Sequence, residues 1–101
     1  MIIAAIEDNL ENPFVTNALL AEKCGLSERQ FYRKVEDITG MSPNHLIRTM
    51  RIEKAKELLY SGEFRTVKEV ALRVGFLKVS YFSQKFKESC GIKPSEILRK
   101  N

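Results

Sequence analysis

Two stretches of the sequence, 28–38 and 79–89, place cationic and hydrogen-bonding side chains at the three- and four-residue spacing of a helix face. In the first stretch, Arg29, Tyr32 and Arg33 share one such face. The fork of an arginine guanidinium fits the edge of a guanine base through two hydrogen bonds, and each good pair contributes about 1–3 kcal/mol of discrimination. Two arginines at the start of an exposed helix therefore suit base recognition.

The second stretch offers polar and apolar groups among lysines. The amide of Gln84 can pair with adenine, and Val79 can contact the methyl group of thymine. The other side chains that we expect to be exposed here are Lys78, Ser80, Ser83 and Lys87. A solvated surface role is the alternative for any single arginine or lysine, so only the set as a whole indicates nucleic acid.

Both stretches belong to an internal repeat. A threonine, an alanine and a glycine recur at one spacing with a shift of 50 residues: Thr16-x4-Ala21-x3-Gly25 and Thr66-x4-Ala71-x3-Gly75. Past the glycines the second copy has one extra residue, and the matches continue at a shift of 51: Phe31 and Phe82, Lys34 and Lys85, Gly40 and Gly91, Pro43 and Pro94, Arg48 and Arg99. Each copy reads helix, glycine turn, helix and then Gly-x-x-Pro. This order predicts a duplicated helix-turn-helix.

Apolar periodicity and the positions of glycine and proline predict seven helices and no strand. The predicted helices are 2–10, a short helix from Thr16 or Asn17 to Cys24, 28–38, 43–60, a helix from Thr66 to Gly75, 79–89 and 94–99. We therefore expect an all-α, homeodomain-like fold that forms one DNA-binding domain over 1–101. Its expected parts are a first subdomain at about 1–42, a linker helix at about 43–60 and a second subdomain at about 63–101.

The helix starts and turns carry specific signals. Ser27-x-x-Gln30 and Thr66-x-x-Glu69 are capping boxes, and Ser42-Pro43 is an N-cap followed by proline in the first helical position. In each motif the alanine is the small side chain where two helices touch, and the glycine is free to take a positive φ.

Several aromatic and aliphatic residues are expected to pack inside. On 28–38 we expect Phe31, Val35 and Ile38 to point into the core, and on 79–89 Phe82 and Phe86 with apolar contacts from Tyr81. Core or linker packing is also the simplest interpretation of Phe14, Tyr60, Phe64 and Phe76.

The linker helix has a mechanical consequence for DNA binding. About 18 residues at 1.5 Å each give a rod of about 27 Å, whereas successive major-groove faces of B-DNA lie about 34 Å apart. The sequence therefore predicts either DNA bent towards the protein or one recognition helix imperfectly seated.

Composition favours a globular protein, and its positive charge fits either an anionic partner or a basic solvated face. The 101 residues are 44% hydrophobic and 30% charged, with a net charge of +4 and a pI near 9.2. The charge is uneven, at −3 over residues 1–26 and +4 over residues 76–101.

No apolar run is long enough to span a bilayer, so no membrane association is expected. Cys24 and Cys90 lack metal-site spacing, and we interpret them as buried reduced thiols.

Nothing in the sequence indicates an enzyme, a cofactor or a metal site. His45 is the only histidine, and no Ser/His/Asp set, catalytic carboxylate pair or phosphate-binding glycine loop accompanies it. A protein-interaction module that docks an acidic partner through its basic face is the alternative to DNA binding, and salt dependence combined with sequence preference distinguishes the two.

Over about residues 5–99 the chain resembles the DNA-binding domain of AraC/XylS-type bacterial transcription regulators. The second half carries the more specific match, Ala71-x3-Gly75-Phe76-x4-Tyr81-Phe82-x3-Phe86-Lys87-x3-Gly91-x2-Pro94. The linker helix carries Leu46-x4-Arg51-Ile52-x2-Ala55-x2-Leu58-Leu59. The resemblance implies two helix-turn-helix subdomains that bind an asymmetric site in adjacent major grooves of double-stranded DNA.

By motif position, the resemblance assigns base reading to Arg29, Tyr32, Arg33, Val79, Ser80 and Gln84. We assign phosphate contacts to Lys34, Arg48, Lys78, Tyr81, Ser83, Lys85 and Lys87. Three departures leave the base preference of the second recognition helix open: Leu77 where a small polar residue is usual, Gln84 where arginine is frequent, and Ile97-Leu98-Arg99 without an aromatic before the arginine.

Domains of this kind are usually attached to a sensor, dimerisation or receiver module. We therefore expect the chain to be the C-terminal piece of a larger regulator, bacterial, cytoplasmic and nucleoid-associated, with a stand-alone regulator as the alternative. Contact with RNA polymerase is a further expectation, through exposed charges of the long helix or of the acidic first helix.

Overall fold

The computed structural model describes residues 2–100, which form seven α-helices and no strand. The helices are α1 (Ile2–Asn9), α2 (Asn17–Lys23), α3 (Glu28–Thr39), α4 (Pro43–Ser61), α5 (Val67–Arg73), α6 (Val79–Cys90) and α7 (Pro94–Lys100). The all-α prediction is confirmed. Met1 and Asn101, at the predicted subdomain ends, lie outside the described residues.

The chain forms two compact units, Met1–Met50 and Arg51–Asn101. The core of the first unit holds eight buried residues: Ile6, Leu10, Leu20, Ala21, Phe31, Val35, Leu46 and Ile47. Phe31 and Val35 of α3 are fully buried, as predicted. Because they anchor one side of α3, the opposite side of this helix is left to solvent.

The core of the second unit is built around aromatic rings. Phe82 lies between Phe76 and Phe86, with ring centroids 5.1 and 5.7 Å apart in tilted pairs. All three are buried, and α7 adds Ile97 to the same cluster. Tilted aromatic pairs contribute about 0.5–1.5 kcal/mol beyond their buried area, so these rings fix α6 within its unit.

Both helix-turn-helix turns close by the same backbone hydrogen bonds. The N–H of Leu26 donates to the carbonyl of Ala21 at 2.9 Å, and that of Gly25 to Glu22 at 3.0 Å. In the second unit the N–H of Phe76 donates to Ala71 at 2.9 Å and that of Gly75 to Leu72 at 3.2 Å. This is the Schellman pattern, which requires a residue of positive φ. Gly25 and Gly75 supply it, with φ of 69° and 102°.

The predicted caps are present. Ser27 and Gln30 form a capping box on α3, and Thr66 and Glu69 form one on α5. Each box satisfies amides that the first helical turn leaves without a partner. The Thr16 hydroxyl caps α2 as that of Thr66 caps α5, each accepting from an N–H three residues later at 3.1 Å. The two copies of the repeat thus start these helices alike, and Ala21 and Ala71 are fully buried.

Three packing predictions are wrong. Ile38 is 64% exposed, because it lies on the buried face of α3 but in the last turn, beyond the residues that the first core covers. Phe14 is 73% exposed; its N–H donates to Asn12 in the turn between α1 and α2, and the neighbouring Val15 packs against the core instead. Tyr60 is 57% exposed, because the helical phase of α4 turns Leu59 inward.

Gly75→Val should destabilise the protein by about 1–3 kcal/mol, because a β-branched residue resists a strongly positive φ. Gly25→Asn is the matched control, since its φ of 69° lies in the left-handed helical region and an added Cβ would meet no atom within 4 Å. The measurement is chemical denaturation followed by circular dichroism. Equal losses in both variants, or none in Gly75→Val, would contradict the assigned turn geometry.

Candidate nucleic-acid interface

Each unit presents one helix that follows a Schellman turn and exposes a polar face. In the first unit this helix is α3, which packs against α2; in the second it is α6, which packs against α5. A buried alanine of the preceding helix, Ala21 or Ala71, leaves room for the close contact. These are the helices that the repeat predicts as recognition helices.

The predicted base-reading residues of α3 all lie on its exposed side. Arg29 and Arg33 are exposed, and Tyr32 is 42% exposed between them. Within residues 2–100, neither arginine side chain forms a hydrogen bond or an ion pair. Their guanidinium groups are therefore available to a ligand, and Lys34 extends the exposed cationic surface.

The predicted base-reading residues of α6 are presented less evenly. Ser80 and Gln84 are exposed, as expected. Val79 is half-buried and packs against the second core, so the expectation of an exposed side chain is wrong for this residue. The reason is that Val79 lies in the first turn of α6, three residues before the fully buried Phe82, where the helix meets the second core.

Glu88 holds two of the predicted DNA contacts. Its carboxylate accepts a hydrogen bond from Gln84 Nε2 at 3.2 Å and pairs with Lys85 Nζ at 3.3 Å. The Lys85 ammonium also lies 5.6 Å from the centre of the Tyr81 ring. Sequence reasoning missed this cluster, although Glu88 stands four residues after Gln84 and three after Lys85, a spacing at which helix side chains meet.

The residues assigned to phosphate differ in how free they are. Lys78 and Lys87 are exposed, whereas Arg48 and Ser83 are half-buried, so the expectation of an exposed side chain is wrong for Ser83 as it is for Val79. Tyr81 is 41% exposed, with its ring 6.1 Å from that of Phe76. Lys85, with 27% of its side chain exposed, is engaged by Glu88. Among the three lysines assigned to phosphate in the second unit, Lys78 and Lys87 are therefore the two whose side chains have no partner within residues 2–100.

The two recognition helices begin differently. The Ser27 side chain accepts from the N–H of Gln30 at 3.2 Å, and the Gln30 side chain accepts from the N–H of Ser27 at 2.9 Å. The N-cap of α6 is Lys78, whose side chain makes no cap hydrogen bond. A lysine cannot accept hydrogen bonds from these amides, so α6 starts with a cation where α3 starts with an acceptor.

Charge is also present away from the recognition helices. Burial lowers the pKa of Arg51, a half-buried residue of α4, by desolvation of its charged form. An arginine remains protonated at neutral pH despite such a shift. The positive charge in α4 that the linker motif specifies is therefore retained.

Other kinds of site find little support in residues 2–100. No group of histidine, cysteine and carboxylate residues in that range could hold a metal ion. Cys24 and Cys90 are half-buried free thiols rather than fully buried ones. None of the described helices has both the length and the apolar composition needed to cross a membrane.

Comparison with known proteins assigns the arrangement to a family. A model of the helix-turn-helix domain matches residues 20–100. The chain is 34% identical over 95 residues to the HTH-type transcriptional activator RhaR of Klebsiella pneumoniae, a match covering 94% of this chain and 33% of that protein. It is 31% identical over 100 residues to the XylDLEGF operon transcriptional activator of Pseudomonas putida, covering 97% and 31%. The chain thus spans about one third of the length of these relatives.

Solved structures give the same assignment. The C-terminal domain of the two-component response regulator yesN from Fusobacterium nucleatum is 32% identical, with a TM-score of 0.85 over 96% of this chain and 93% of that one. The DNA-binding domain of AdpA, a global transcriptional factor crystallised with a target DNA, is 26% identical, with a TM-score of 0.87 over 98% and 87%.

Glu88→Gln should raise affinity for a duplex pool of random sequence by about twofold, because it releases Lys85 and removes one negative charge; an exposed charge pair on a helix contributes about 0.3–0.5 kcal/mol. The measurement is fluorescence anisotropy with labelled duplex. Glu7→Gln on α1 is the control, since it makes the same charge change on a helix without assigned DNA contacts. An equal gain in both variants would show that only net charge matters and would contradict the proposed pairing.

Proposed function

Because the chain belongs to the AraC-type helix-turn-helix family of DNA-binding transcription regulators, we propose that it binds specific sites on double-stranded DNA within a transcription regulator. The observation that carries this proposal is the duplicated turn, whose hydrogen bonds recur from Ala21 and Gly25 to Ala71 and Gly75. Each turn presents one helix with a buried apolar side and an exposed polar side. The AdpA domain, which has the same fold, was crystallised with DNA.

The proposed chemistry of the first recognition helix is cationic. Arg29 and Arg33 bind guanine edges or the acceptors beside them, because each guanidinium presents two parallel donors. Tyr32, placed between them, contributes its hydroxyl and ring face to the same groove. Lys34 and Arg48 neutralise phosphates on either side and set the register of the helix on the duplex.

The proposed chemistry of the second recognition helix is mostly polar. Gln84 pairs with adenine while Glu88 accepts from its amide nitrogen, which leaves the amide oxygen and the second amide hydrogen for the base. Ser80 contacts a base edge, and Val79 offers only the part of its side chain that the core leaves exposed. The phosphate contacts proposed here come from Lys78, Tyr81, Ser83, Lys85 and Lys87.

We propose that the two units act as one DNA-binding domain and that α3 and α6 enter adjacent major grooves of one duplex. Two separate sets of base contacts would make the site asymmetric, because the first set is arginine-rich and the second is not. Bending of the DNA would add selectivity at base pairs that no side chain touches.

The regulator as a whole is proposed to be larger than this domain. Its relatives RhaR and the XylDLEGF operon activator are about three times as long as the matched region. A sensor or dimerisation module, contact with RNA polymerase, absence of enzymatic activity and a place on the bacterial nucleoid are all parts of this proposal. The acidic, exposed side chains of α1, Glu7 and Asp8, are candidates for the polymerase contact.

Arg33→Ala should remove preference at one or two base pairs, with a loss of about 1–3 kcal/mol of discrimination, because it deletes a bidentate donor. Lys34→Ala is the matched control and should weaken binding to every sequence alike, reducing the salt slope by about 0.9. Both residues are exposed, so both variants should fold. The measurement is anisotropy on a duplex selected by the unaltered chain and on its single-base variants, over a salt series.

Unchanged base preference in Arg33→Ala would contradict the role assigned to α3. Binding that weakens with salt but shows no preference among sequences would instead favour the interaction module with an acidic partner.

A further inference from the structure

Leu77 is the most exposed apolar side chain next to the second recognition helix. It is 58% exposed and stands between Phe76, which is 6% exposed, and Lys78, the N-cap of α6. Single exposed leucines are common on protein surfaces, so its exposure alone implies nothing. Its place in the repeat is what distinguishes it.

Leu77 is the extra residue of the second copy. In the first copy the sequence Gly25-Leu26-Ser27 runs from the turn to the N-cap, with Leu26 packed against the core. In the second copy the sequence Gly75-Phe76-Leu77-Lys78 covers the same path, and Phe76 takes the packing position of Leu26. Both turns close through the same hydrogen bonds without Leu77. The inserted side chain is therefore not needed to form the turn.

Leu77 lies beside the end of α6 that is expected to meet DNA. In a helix-turn-helix, the N-terminal residues of the recognition helix meet the base edges. Leu77 directly precedes the N-cap of α6, and Val79, the next apolar residue, is half-buried. Leu77 therefore exposes more apolar surface to a ligand than Val79 does. The apolar feature of the major groove is the 5-methyl group of thymine.

We infer that Leu77 is a specificity-determining residue, which contacts the methyl group of a thymine at the edge of the half-site bound by α6. This inference rests on the proposed DNA binding. It adds Leu77 to the residues that contact bases, and it names thymine as the base contacted. Burial of one methyl-sized group changes an equilibrium constant about fourfold. The preference expected from Leu77 is therefore modest, and confined to one base pair.

The test uses a duplex selected from random DNA by the unaltered chain, together with copies in which each thymine is replaced singly by deoxyuridine. This replacement removes only the methyl group. The proteins are the unaltered chain, Leu77→Ser and the control Leu72→Ser, which truncates a leucine of α5 that is 47% exposed. Circular dichroism melting checks that all three are folded.

The expected result is one thymine whose replacement weakens the unaltered chain and Leu72→Ser about fourfold and leaves Leu77→Ser unaffected. Equal methyl dependence in all three proteins would overturn the inference, since Leu77 would then contact the sugar-phosphate backbone or nothing. A selected half-site without a critical thymine would also overturn it. If the unaltered chain selects no sequence at all, the proposed function is wrong, not only the role of Leu77. The selection step shows this outcome before any variant is tested.

Discussion

The backbone hydrogen bond from the third residue after a helix to the carbonyl of a buried alanine in that helix is the constraint on which the other features depend. It occurs from Leu26 to Ala21 and from Phe76 to Ala71, at 2.9 Å in both. The bond closes only when the intervening glycine takes a positive φ. Where it is closed, the residue that donates it, Leu26 or Phe76, packs against the core of its unit. The polar face of the following helix is thereby turned outward.

The two recognition helices share this frame but not their surface chemistry. On α3, the side chains of Arg29 and Arg33 have no partner within residues 2–100, so binding need not break any interaction of theirs. On α6, Glu88 engages Gln84 and Lys85. Exposed pairs of this kind contribute only a few tenths of a kcal/mol, too little to hold a side chain against a good ligand. We therefore expect Glu88 to modulate DNA binding by the second helix, and Arg29 and Arg33 to supply binding affinity in the first.

The helices and turns could be predicted from the sequence because their signals are local. Capping residues, glycines and prolines specify backbone conformations within a few residues, and the repeat supplied each signal twice. Burial at element ends could not be predicted in this way. Ile38 is exposed because the first core does not extend to the last turn of α3. Tyr60 is exposed because the helical phase of α4 turns the adjacent Leu59 inward. The contacts of Glu88 with Gln84 and Lys85 depend on the side-chain rotamers of these residues. Sequence spacing shows that such contacts are possible but not that they form. The assigned DNA contacts remain predictions, since they require a duplex to be seen.

Selection of preferred sites from random duplex DNA by the chain, at a low and a higher salt concentration, tests the central claim most directly. Two recognition helices acting together predict a bipartite, asymmetric motif with half-sites about one helical turn, roughly 34 Å, apart. Enrichment should fall at the higher salt, because phosphate contacts release counterions. Enrichment of a single half-site would contradict joint reading by α3 and α6. No enrichment at either salt would contradict sequence-specific DNA binding by this chain.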